Sequence, residues 1–143
     1  MKYCFLIYLS FCFIQCSIFS PQSKLSNKSI FGIYDLYLHF GSKAAGPPSD
    51  KIFIEYLNKF ENQYQIKVDK IDKIGPLGRE GEYDLGIVLN SWNETQKRQF
   101  IDGVKKIVWN KVETNSTGYV QISENIKMAD LDDYKKARIS TYE

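Results

Sequence analysis

The chain has 143 residues, with 19 Lys and Arg against 17 Asp and Glu, one histidine and three cysteines, for a formal charge of +2. That balance supplies no basic field for nucleic acid and no acidic tail, and the length fits one ordinary domain. Zinc sites built from several histidines are excluded, and a Ser-His-Asp triad would have to use His39.

Lys2 followed by the apolar run Tyr3 to Ile14 has the charged start and short apolar core of a secretory signal peptide, covering residues 1–16. It is too short to span a bilayer, which takes roughly 20 apolar residues. Two processing routes follow. In one, Cys16 is acylated as in a bacterial lipoprotein, anchoring the protein to the membrane of the cell envelope or periplasm; in the other, cleavage after Cys16 or Ser20 frees a secreted product. Gln15 and Phe13 depart from the usual lipobox, whereas the polar, Ser-rich stretch 17–29 has the composition of a flexible tether. Cys4, Cys12 and Cys16 are the only cysteines, so the exported domain can form no internal disulfide and no Cys-ligated metal site.

The folded domain is expected over residues 30–143. Tyr34, Leu36, Leu38 and Phe40 alternate with Asp35, Tyr37 and His39, the period of a half-buried strand. Gly41 to Pro48 reads as a loop, and Ser49 or Asp50 as the N-cap of a helix over Asp50 to Gln63, whose apolar stripe is Ile52, Phe53, Tyr56, Leu57, Phe60 and Tyr64. A second strand begins at Ile66 and Val68, continues through Ile71 and Ile74, and is broken by Gly75 to Gly81. A third strand follows over Asp84 to Leu89. Asn93 and Gln96 form a capping-box pattern ahead of a second helix, Glu94 to Trp109. Tyr119 to Ile122 reads as a fourth strand, and a short helix is expected around Leu131 to Arg138.

The order strand, helix, strand, strand, helix, strand predicts an α+β, two-layer ferredoxin-like sandwich, with a four-stranded antiparallel sheet and two helices on one face. That fold hosts many unrelated activities and does not decide function.

Candidate chemistry lies in two places. The stretch Ile74 to Asp84 surrounds Arg79, Glu80, Glu82 and Asp84 with glycines, which reads either as a long hairpin with solvated charges or as a recognition surface or acid-base pair. The sheet face carrying Ile33, Tyr37 and His39 is not covered by the helices, so it is expected either to bind a partner or a second copy, or to lie under the tail through Met128, Leu131 and Tyr134. Asp35 and His39 stand ~13 Å apart along a straight strand, too far to pair. The loop from Gly41 to Ser49, with Lys43, opens onto a helix N-terminus but matches no phosphate-binding motif. Asn27, Asn93 and Asn115 begin Asn-x-Ser/Thr sequons, which matter only in a glycosylating pathway.

The resulting expectation is a small exported, lipid-anchored, non-catalytic binding domain without a cofactor, of the immunity or inhibitor type, with a protein partner. An envelope assembly component differs from it only in the partner. The alternative is a small exported hydrolase using Arg79 and nearby carboxylates. Scarce histidine and the lack of a mature cysteine count against an enzyme.

Overall fold

A computed structural model of the chain describes residues 32–108 and 118–141. The signal, the tether, Cys16, Asn27 and Asn115 lie outside the described residues. Alternation in the first strand gives β1 (Ile33–Ser42), whose Leu36, Leu38 and Phe40 face the main core. Helix α1 (Lys51–Tyr64) buries Phe53, Leu57 and Phe60 against it. Asp50 stands at the expected N-cap, but its side chain makes no capping bond; Ser49 Oγ accepts from Lys51 N at 3.2 Å instead.

The second strand starts later than Ile66, because Glu61 holds the approach to it. This buried carboxylate accepts from Val68 N at 2.7 Å and pairs with Lys67 Nζ at 2.6 Å, so Ile66 and Val68 pack on the core from a connection. Strand β2 then runs Lys70–Leu77. Its ladder with β3 (Glu82–Val88) shifts register between Ile74 and Leu77, so Gly75 and Pro76 interrupt the pairing without ending the strand. The expected break is confined to residues 78–81.

Helix α2 (Glu94–Ile107) begins at the expected capping box, with Asn93 Oδ1 accepting from Gln96 N at 2.9 Å and Gln96 Oε1 from Asn93 N at 3.0 Å. It buries Phe100, Ile101 and Val104. Phe100 stacks on Tyr56 with centroids 5.5 Å apart, and Phe60 stacks on Trp92 at 5.3 Å. The buried rings of Phe60 and Phe100 contribute ~1.5–3 kcal/mol each by leaving water. This aromatic seam joins both helices to one face of the sheet.

Strand β4 (Gly118–Lys127) pairs with β1 along its length. The sheet is antiparallel throughout, in the order β4-β1-β3-β2-β5. Among the described residues it has five strands and not the four expected. The added β5 (Ile139–Thr141) pairs Ile139 with Ile74 at the edge of β2.

Between β4 and β5 the chain crosses the outer face, the one opposite α1 and α2. Met128 N donates to Gly32 O at 2.9 Å, Leu131 is buried, and the short helix α3 (Asp133–Lys136) is capped by Asp132 Oδ1, which accepts from Lys135 N at 2.8 Å. Leu131 joins Tyr34, Tyr37, Ile74, Leu77 and Val88 in a second apolar cluster. Of the two fates expected for this face, the tail covers much of it. Tyr134 takes no part and stays half-exposed, with the Arg138 guanidinium over its ring. No helix among the described residues is long and apolar enough to cross a membrane.

Candidate functional site

Residues directly opposite on neighbouring strands share a face, so register decides which side chains meet. On the outer face His39 lies opposite Asp84 of β3 on one side and Gln121 of β4 on the other, while Tyr37 lies opposite Gly86 and Ser123. Simple alternation puts Tyr34 with Leu36 on the helix side, yet Tyr34 belongs to the outer cluster. Asp35 is turned to the end of β3 and to α2, where its carboxylate accepts from Leu89 N at 2.7 Å and from Lys97 Nζ at 2.7 Å.

Two fully buried carboxylates anchor this face. Asp72 accepts from the Tyr34 phenol at 2.8 Å and pairs with Lys70 Nζ at 2.8 Å. Asp84 accepts from the Tyr37 phenol, from His39 Nδ1 at 2.6 Å, and pairs with Lys135 Nζ at 3.4 Å. Burying a carboxylate is costly unless donors surround it, and each here has a tyrosine and a lysine. Burial, reinforced by the adjacent carboxylate, pushes the hydroxyls of Tyr34 and Tyr37 well above the ordinary phenol range.

Asp84 Oδ1 accepts, so His39 Nδ1 carries the proton, and in the neutral ring Nε2 is a bare acceptor. Nε2 lies 3.4 Å from the Tyr119 hydroxyl, and the His39 side chain is 26% exposed. Beside it opens a cleft of about 330 Å³, lined by Tyr37, His39, Gln121, Ser123, Ile126, Leu131 and Lys135. The cleft has an apolar wall from Ile126 and Leu131, and a polar wall from β4 and α3.

Of the residues singled out from sequence, Tyr37, His39 and Asp84 converge. Arg79 and Glu80 do not; they are exposed at the tip of the β2–β3 turn, where Ser42 Oγ donates weakly to Glu80 Oε2 at 3.4 Å. Glu82 opens β3 and folds back toward Gly78. Sequence reasoning missed Lys135, Tyr119, Asp72 and Lys70. The alternation of β3 did set Asp84 on the face opposite Leu85, but nothing local announced that the tail would bury it. Among the described residues, no three His, Cys, Asp or Glu side chains cluster to hold a metal ion.

No family model, curated protein or solved structure matches the chain.

Proposed function

We propose that the chain is a small exported binding domain of the immunity or inhibitor type, tethered to the cell envelope through a lipid on Cys16, which engages a protein partner with the uncovered part of its outer sheet face. The observation that carries this reading is the open cleft beside His39, whose floor is fixed by the buried Asp84 network. A preorganised surface loses little freedom on binding, which favours affinity. Tyr37 and Tyr119 add aromatic groups of the kind enriched at the centres of interfaces. The strand order β4-β1-β3-β2 and the placement of both long helices on one face support a ferredoxin-like core to which β5 is an addition.

The experiment is crosslinking and capture of partners from native envelope membranes, with His39→Ala and Gln121→Ala on the cleft and Arg79→Ala with Glu82→Ala on the turn. Loss of one specific partner with the cleft pair alone is the expected result. Loss with the turn pair alone would move the surface to the β2–β3 hairpin. Intact mass of the mature protein checks the tether: a lipid-sized excess on Cys16 is expected, and an unmodified terminus removes the anchor from the proposal.

A further inference from the structure

Binding alone makes no use of the proton chemistry at His39. We propose that Asp84 and His39 form a general acid–base dyad that hydrolyses a small uncharged carboxylic ester seated in the adjoining cleft, a reaction that rests on the cleft being the ligand site.

Four observations carry this. Asp84 Oδ2 is taken by the Tyr37 phenol and by Lys135 Nζ, which leaves Oδ1 to hold His39 Nδ1 at 2.6 Å. The ring is thereby fixed in the tautomer whose Nε2 lone pair faces outward. Tyr119, the neighbour of that nitrogen, is 3.4 Å away, long for a hydroxyl donor, so a ligand or water displaces it at little cost. The cleft also pairs apolar side chains, Ile126 and Leu131, with the donors Gln121 and Lys135, matching an acyl chain beside a carbonyl oxygen. Lys135 is balanced by Asp84, which suits an uncharged substrate over an anionic one.

The attacking oxygen is water. Ser123 stands opposite Tyr37, diagonal to His39 across the β1–β4 pair, and the imidazole's hydrogen-bond partners are Asp84 and Tyr119 and not this hydroxyl. Nε2 takes a proton from water as the water oxygen bonds to the carbonyl carbon, and the carbonyl π pair moves onto its oxygen, beside Lys135 and Gln121. The carbonyl then reforms, the bond to the alkoxy oxygen breaks, and that oxygen takes the proton back from Nε2. Ester and water become acid and alcohol, and the dyad returns unchanged. His39 is the catalytic residue, and Asp84 is a positioning residue.

Because His39 is the only histidine, the rate of p-nitrophenyl acetate hydrolysis per imidazole compares directly with that of N-acetylhistidine. We expect the full chain to exceed the free amino acid by roughly tenfold or more, a modest share of what general acid–base catalysis supplies, and His39→Gln to fall to the buffer rate with its circular dichroism unchanged. A rate no higher than that of N-acetylhistidine, or one that His39→Gln retains, overturns the proposal. Asp84→Asn leaves a buried amide among three donors, so its role is read in the wild-type protein, where the 15N spectrum of His39 should show Nδ1–H with Nε2 bare in the neutral ring; the opposite tautomer overturns the dyad. If hydrolysis is absent while His39→Ala still abolishes partner capture, the catalytic inference fails and the binding reading stands. If neither responds to His39, both fail.

Discussion

The ring of Tyr34 fills the space above Gly86 that a side chain at that position would need: a Cβ on Gly86 would come within 2.5–2.6 Å of three of its ring atoms. The close approach lets the Tyr34 hydroxyl reach Asp72 at the centre of the outer face. Gly86→Ala is therefore expected to destabilise by about 1–3 kcal/mol, the usual cost of overpacking. Urea unfolding measures it. The penalty should shrink in a Tyr34→Leu background, and an additive double mutant would show that the ring is not the obstacle.

Alkaline pH should unfold the domain through Tyr34 and Tyr37. Both hydroxyls are held above their ordinary value in the folded state, first by burial and then by the neighbouring carboxylates. The folded form thus keeps protons that the unfolded form releases near pH 10, so stability is fully present below that value and is lost as pH rises beyond it. The slope is about 1.4 kcal/mol per pH unit for each tyrosine. Urea midpoints between pH 8 and 11.5 test this, and Tyr34→Phe and Tyr37→Phe should each flatten the decline.

Leu131→Ala should cost about 2–5 kcal/mol, since this side chain is the buried foot of the tail in the outer cluster. Removal of residues 128–143 should cost more and increase binding of a hydrophobic dye, because Tyr34, Ile74, Leu77 and Val88 lose their cover. An unchanged urea midpoint in Leu131→Ala would mean that the tail rests on the sheet without stabilising it.

Asn93→Ala removes one arm of the capping box and should cost about 1 kcal/mol, with Asn93→Asp close to neutral. The same bond makes Asn93 a poor glycan acceptor in the folded state, although it heads a sequon. Thermal melts of the two variants give the comparison.

The long periodic segments were legible in the sequence: the stripe Phe53, Leu57, Phe60 specified α1, and Asn93 with Gln96 fixed the start of α2. What escaped was set by long-range register. Glu61 has the look of a solvated helix residue, and only the return of the chain at Val68 gives its carboxylate a reason to be buried. Tyr34 fits the alternation of β1, and Asp35 overrides it by reaching Leu89 and Lys97. β5 is three exposed residues with no pattern of its own, and pairing with β2 alone defines it. At the site, Tyr37 and His39 were grouped from local spacing, while Asp84 was assigned to a turn surface with Arg79. The β1–β3 register joined it to His39, and that register is not written in either strand.

The path of the tail also governs how this sheet can grow. The β2 edge is occupied by the three-residue strand β5, whereas the ten-residue β4 stands at the other edge of the sheet among the described residues. A sheet with one long edge to offer can join a copy of itself edge to edge once, as a two-fold pair, and then has no equivalent edge left. A pair joined through β4 would leave only the three-residue β5 edges facing outward, too short a template for further strands to add.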